Sequence, residues 1–273
     1  MTNERRVLVH PDTEALAGSV AARFLTKIID VLDEQDEAHV CLTGGTMGIA
    51  VLAAIAASPA RESVDWSRLH FWWSDERYLP RGDADRNETQ ARDALLDVLA
   101  LDPARVHGMP APGEQASIDA AADAYAAELA AAAPSGARYP RFDVTMLGVG
   151  PDGHVASLFP DHAQVRETER VVVAETDSPK PPPERLSFTL PVINSSDRVW
   201  LVLAGADKAG ALGLALAGAS ISEVPVAGVE GRKRTVFFVD RDAAAEVPES
   251  LIAPSQYWTA AHDLPAQEMH PEG

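Results

Sequence analysis

Val40-Cys41-Leu42-Thr43-Gly44-Gly45-Thr46-Met47-Gly48-Ile49-Ala50-Val51-Leu52 passes from an apolar, β-prone run through a glycine-rich turn into an apolar helix. A strand that feeds straight into a helix is the opening half of a parallel crossover unit. The same alternation recurs on both sides of this stretch. Apolar runs at 7–9, 40–43, 69–73, 144–149, 171–174, 199–204 and 236–239 read as strands, and 13–33, 47–57, 87–99, 118–133 and 208–217 read as helices. Such a pattern predicts an α/β fold: a mostly parallel, Rossmann-like sheet flanked by helices on both faces, in a single compact unit over 1–265. An acidic tail at 266–273 is expected to be disordered. The proline-rich segments 109–114 and 177–183 read as surface loops, the second as a stiff loop bordering the site and not as a domain boundary.

Acidic residues outnumber basic ones 41 to 23, and the net charge of −18 argues against nucleic acid or an anionic membrane surface as a partner. An anionic small molecule stays possible, because a few cations converging in one cleft set the local potential there. No apolar run is long enough to span a bilayer. The N-terminus leads into a core strand without the features of a secretory signal, so a cytoplasmic location is expected. The single cysteine, Cys41, lies in an apolar run and reads as a buried inert thiol, which fits a reducing compartment. An acidic surface without an exposed apolar stripe favours a monomer.

The turn at Gly44-Gly45-Thr46 is suited to an anion. Glycines let the backbone approach a phosphate, a helix N-terminus offers free N–H groups, and Thr46 adds a hydroxyl. It reads equally well as a tight strand-to-helix turn with Thr46 as N-cap. A nucleotide P-loop is excluded, since no Gly-Lys-Ser/Thr follows. In Trp72-Trp73-Ser74-Asp75-Glu76-Arg77, consecutive charges end an apolar strand. Arg77 on a short loop would suit a phosphate, and Asp75 and Glu76 could accept from sugar hydroxyls; a solvated strand end is the plainer reading.

The most telling segment is Val144-Thr145-Met146-Leu147-Gly148-Val149-Gly150-Pro151-Asp152-Gly153-His154-Val155-Ala156-Ser157-Leu158-Phe159-Pro160. A rigid turn after a strand holds Asp152 beside His154. A neutral imidazole accepts a proton from water near pH 7, and a neighbouring carboxylate fixes its tautomer. Gly148, Gly150 and Gly153 match a dinucleotide fingerprint, but Pro151 and Pro160 forbid the long helix it should open. Arg185 and Lys208 would bring two cations beside the Gly45-Thr46 donors, which suits a phosphomonoester. Thr46, Arg77, His154 and Lys208 each follow a predicted strand, so a parallel sheet gathers them at one carboxyl edge, where ligands bind.

With those residues in view, the chain resembles the 6-phosphogluconolactonase family, within the larger group that includes glucosamine-6-phosphate deaminase and ribose-5-phosphate isomerase folds. The resemblance covers nearly the whole chain and rests on Gly44-Gly45-Thr46, Asp75-Glu76-Arg77, Asn87, the run from Gly148 to Pro160, Arg185 to Leu190, and Asp207-Lys208. It implies hydrolysis of a sugar phosphate lactone in the pentose phosphate pathway, without metal or redox cofactor. His154 would be the general base and Asp152 its partner. Gly44, Gly45, Thr46, Asp75, Glu76, Arg77, Arg185 and Lys208 would contact substrate or phosphate. One departure is Thr46-Met47-Gly48 where the family often reads Ser-Thr-Pro, so one hydroxyl is missing. Two alternatives remain. A deaminase would carry an additional acid where Phe159 stands, and a sugar-phosphate sensor would carry a DNA-binding module before the first strand. Histidine spacing along the chain matches no standard metal motif.

Overall fold

The computed structural model describes residues 4–248 and residue 252; the expected acidic tail lies outside the described residues. Six parallel strands form the main sheet: β1 (Glu4–His10), β2 (Ala38–Leu42), β3 (Leu69–Trp73), β5 (Val144–Gly148), β8 (Arg198–Leu203) and β9 (Arg234–Asp240). Their order is β1-β9-β8-β5-β2-β3, with every neighbouring pair parallel. Residues Val199 to Leu203 are all buried, as expected of a strand covered on both faces.

α1 (Thr13–Glu34) and α2 (Gly45–Ala57) pack together on one face. The apolar spacing of α1, Leu16, Val20, Phe24, Ile28 and Val31, keeps one stripe on the sheet, and the Asp12 side chain caps it by accepting from Ala15 N at 2.8 Å. α4 (Ile118–Ala131), α5 (Leu190–Asn194) and α6 (Ala209–Leu216) belong to the opposite layer, whose core includes Tyr125, Leu129, Ile193 and Leu212. The helix expected over 87–99 is shorter: α3 spans Asn87–Ala94, and the chain breaks at Leu95 (φ −147°, ψ −51°) before a 3₁₀ turn at Leu96–Val98. The break buries the adjacent Leu95 and Leu96 together, which one continuous helical face would not do.

Two expectations need correction. Asp75–Arg77 is not the charged end of β3 with Arg77 on a short loop but a strand of its own, β4, and the run at 171–174 does not join the parallel sheet. It forms β6 (Val172–Glu175), and with β7 (Arg185–Phe188) these make a separate antiparallel sheet, order β4-β7-β6, against which α4 packs. Ser74 is the pivot. Its N–H still donates to Leu42 O of the main sheet at 3.2 Å, while its carbonyl accepts from Phe188 N of the second sheet at 2.7 Å. One residue thus carries the chain between sheets, and the charges after it acquire backbone partners that a loop would lack. Among the described residues no helix is long and apolar enough to cross a membrane.

Candidate active site

In the strand order, β2 leads outward to β3 while β5 lies on its other side, so the loops leaving β2 and β5 diverge. A crevice at such a divergence is where open α/β sheets take ligands. A cleft of about 590 Å³ lies there, lined by Gly44, Gly45, Thr46, Asp75, Arg77, His154, Arg185 and Lys208 among others. Eight of the expected residues therefore share one wall system, Asp152 stands directly behind His154, and Glu76 alone is elsewhere.

α2 begins at Gly45 with no side-chain cap, so Thr46 does not serve as N-cap. Gly45 has φ +79°, a conformation that favours glycine, and it and Thr46 are exposed at the cleft. The uncapped first turn leaves backbone donors for an anion. Across the cleft, Arg77 and Arg185 are direct partners in the antiparallel pair β4 and β7. Like charges on directly paired strand positions repel each other, and an anion bound nearby relieves that repulsion. Arg77 donates to Asp85 O at 2.6 Å. Arg185, buried over the Phe159 ring, donates to the carbonyls of Lys180, Pro181 and Pro182. Burial lowers its pKa, Asp75 opposes that, and Arg77 adds to it. Lys208 pairs with Asp207 at 2.7 Å.

The turn after β5 is closed by Gly153 N donating to Gly150 O at 3.0 Å and Gly150 N donating to His154 O at 2.9 Å. No helix follows it before the 3₁₀ turn at Ala163–Arg166, in keeping with the rejection of a dinucleotide site. His154 Nδ1 and Asp152 Oδ1 are 2.5 Å apart. Burial alone would raise the Asp152 carboxyl, but its hydrogen bond to His154 and the charges of His154 and Lys180 outweigh that and hold it at about 2. Asp152 is thus a carboxylate at neutral pH and fixes the His154 proton on Nδ1. Nε2, which has no hydrogen-bond partner among the described residues, keeps its lone pair for the cleft. The ring packs against Phe159 with centroids 4.6 Å apart.

Asp75 reaches the cleft from a buried position and accepts from Ser157 Oγ at 2.8 Å, so Ser157 ties the histidine segment to β4. Glu76 corrects the sequence reading. It is fully buried, and its oxygens accept from the backbone N–H of Arg77, Asn87 and Glu88 while Arg86 lies 3.7 Å away. Burial pushes its carboxyl up to about 7, against the pull of Arg86 and those donors. Because strands alternate sides, Asp75 and Arg77 face the cleft and Glu76 faces the α3 N-terminus. The sequence reading took the three as one charged strand end and so could not separate the faces on which they lie.

Lys180 lines the cleft too and was absent from the expected set. Its only signal in the sequence was its place in the stiff 177–183 loop already read as bordering the site. Asn87, noted only as part of the family resemblance, also lines it, held by Nδ2 donating to Asp75 O at 2.9 Å.

At the opposite, amino edge of the sheet the fold brings together Glu37, His39 and His70, whose ligating atoms lie within 4.8 Å of one another, a grouping that linear spacing concealed. Arg105 already occupies it, 3.0 Å from Glu37 Oε2 and 2.6 Å from His70 Nε2. Trp72 Nε1 donates to His39 Nδ1 at 3.1 Å, which leaves the His39 proton on Nε2, where a metal would bind. The group is organised as a hydrogen-bonded stack.

The sequence matches the family model described as glucosamine-6-phosphate isomerases/6-phosphogluconolactonase across residues 11–238. It is 52% identical over 259 residues to the 6-phosphogluconolactonase of Streptomyces coelicolor, covering 93% of this chain and 99% of that one. The 6-phosphogluconolactonase of Mycobacterium tuberculosis is 43% identical over 242 residues, covering 88% of this chain and 97% of that one. The crystal structure of 6-phosphogluconolactonase from Thermotoga maritima superposes with a TM-score of 0.76 at 26% identity, over 87% of this chain and 100% of that one.

Proposed function

The chain belongs to the glucosamine-6-phosphate isomerase/6-phosphogluconolactonase family, and we infer from that premise that it hydrolyses 6-phospho-D-glucono-1,5-lactone to 6-phosphogluconate with a water deprotonated by His154. The observation that carries the mechanism is the Asp152–His154 contact, with the free Nε2 turned to a cleft that also holds Arg77, Arg185 and Lys208.

The phosphate takes the open turn at Gly44, Gly45 and Thr46 together with Arg185 and Lys208, which places the lactone carbonyl towards His154. Binding energy spent on the phosphate orients a reaction at the other end of the sugar. Nε2 accepts a proton as the water oxygen bonds to C1, and the carbonyl electron pair moves onto O1. When the tetrahedral adduct collapses, the bond from C1 to the ring oxygen breaks and the imidazolium returns its proton to that oxygen. Asp152 keeps the imidazole in the acting tautomer and stabilises its charged form. The newly formed acid then ionises to the solvent.

A deaminase acting on the same kind of sugar phosphate is disfavoured at Phe159, which stands where that chemistry needs a carboxylate and is fully buried under Arg185. In this reading the protein works as a cytoplasmic monomer, which its buried free cysteine and its few exposed large apolar residues among those described, Val98, Leu214 and Ile221, support. Incubating the protein separately with fresh lactone and with glucosamine 6-phosphate tests it: acid release from the first and no ammonia from the second is expected, and the reverse would overturn it.

A further inference from the structure

Four cationic side chains line the cleft: Arg77, Lys180, Arg185 and Lys208. Three are already engaged, by Asp85 O, by the carbonyls of the 177–183 loop, and by Asp207. The Lys180 ammonium alone has no hydrogen bond or ion pair among the described residues. Its main chain, by contrast, is pinned. Lys180 N donates to Ser178 Oγ at 3.2 Å, and Lys180 O accepts from Ser178 Oγ at 2.8 Å and from Arg185 Nη2 at 3.1 Å. The ammonium is exposed at the wall of the cleft, so a fixed backbone presents a cation that no protein group has already claimed to whatever binds there.

Its surroundings say which part of that molecule. After His154, Lys180 is the cation that acts most strongly on Asp152, and Lys180 in turn feels Asp152, Lys208 and Arg185. The ammonium therefore shares the cleft with His154, Arg185 and Lys208 and lies within electrostatic reach of both the acid–base pair and the phosphate cations. Burial lowers its pKa, Asp152 opposes this, and the two neighbouring cations reinforce it. A preorganised positive charge at that place meets negative charge as it develops.

Resting on the lactonase reading above, we propose that Lys180 is a further catalytic residue, whose ammonium donates to the lactone O1 and holds the oxyanion formed when water adds to C1. The water proton goes to His154 Nε2, the new bond joins the water oxygen to C1, and the displaced π pair resides on O1 against Lys180. Collapse returns that pair to C1, expels the ring oxygen and transfers the His154 proton to it. Lys180 stays protonated throughout.

The test compares wild type, Lys180→Met and Lys180→Arg. Steady-state lactonase assays are paired with calorimetric binding of 1,5-anhydroglucitol 6-phosphate, a pyranose-ring phosphomonoester with no exocyclic oxygen on C1. The expected result is a kcat lowered by about 100- to 1,000-fold in Lys180→Met, partial recovery in Lys180→Arg, and an analogue Kd unchanged in both. Weakened analogue binding with an intact kcat would make Lys180 a phosphate clamp and overturn the proposal, as would wild-type kcat in both variants. Should Lys180→Met fail to fold, wild-type kcat/KM and wild-type pH dependence in a melting-competent Lys180→Gln would overturn it equally. A wild type that binds the analogue but hydrolyses no lactone would overturn the lactonase reading itself, an outcome distinct from an active wild type with an indifferent Lys180.

Discussion

Gly150 lies so close beneath His154 that a Cβ added to it would stand 2.0 Å from Nδ1 and 2.4 Å from Asp152 Oδ1. No real pair of atoms survives at that distance, so a side chain there must push the imidazole off its carboxylate. Gly150→Ala is expected to fold, since the conflict is with two side chains at the cleft, and to lose about 100-fold or more in kcat through misplacement of the base. Steady-state kinetics beside a melting curve checks this. A fully active Gly150→Ala would mean that the imidazole does not act from this position.

Asp152→Asn removes the charge that fixes and supports His154 while keeping the shape of the turn. A fall in kcat of about 100- to 10,000-fold is expected with KM little changed. The carboxyl is held at about 2 in the folded protein, so Asp152 remains ionised through the whole working pH range. Activity lost on acidification from pH 7 to pH 4 in the wild type therefore does not arise from Asp152. An Asp152→Asn variant with near wild-type kcat would remove it from the mechanism.

Glu76 is expected to matter for stability instead of substrate. Glu76→Ala strands three backbone N–H groups and takes one of two neighbouring carboxylates from the fully buried Arg86, which keeps Glu88 and the carbonyls of Leu79 and Met109, a loss of about 3 to 5 kcal/mol. Glu76→Gln, which keeps an acceptor oxygen, should cost less. Urea unfolding measures both. An unchanged midpoint together with lost substrate affinity would restore Glu76 to the site.

Much of this was legible in the sequence because strands feeding helices through glycine turns leave a periodic trace. Residues 69–73 and the turn from Gly150 to His154 were located correctly for that reason. The second sheet was not legible. β4 is only three residues long and charged, so neither alternation nor hydropathy marks it, and its pairing with Arg185–Phe188 is a contact across more than a hundred residues. The different fates of Asp75, Glu76 and Arg77 follow from that unseen strand. Lys180 was missed for a related cause: a single lysine among prolines carries no period, and the contacts of Ser178 and Arg185 that hold its backbone at the cleft leave no mark in the sequence pattern. The histidines at 39, 70 and 107 are far apart in sequence but stack as neighbours, His39 on His70 at 4.5 Å and His70 on His107 at 5.3 Å.

That stack makes stability pH-dependent. Burial lowers His39 from 6.5 to about 4, reinforced by His70 and also by His107 and Arg105, with Glu37 opposing. The folded state thus binds fewer protons than the unfolded chain between those values. The stabilisation is present above pH 6.5 and is lost as pH falls towards 4, by about 3 kcal/mol across the window. Urea midpoints from pH 7.5 down to 4.5 should fall accordingly. His39→Gln, which can still accept from Trp72, should flatten the slope; an equally steep slope in that variant would place the effect elsewhere.

The most direct measurement is acid release from freshly generated 6-phosphogluconolactone at pH 6.5, where spontaneous opening is slow, by wild type and His154→Ala at equal concentration with matched melting curves. The expected result is rapid hydrolysis by the wild type and a fall of about 100- to 10,000-fold in the variant. Hydrolysis by His154→Ala at the wild-type rate would contradict the assignment of His154 as the base that activates water.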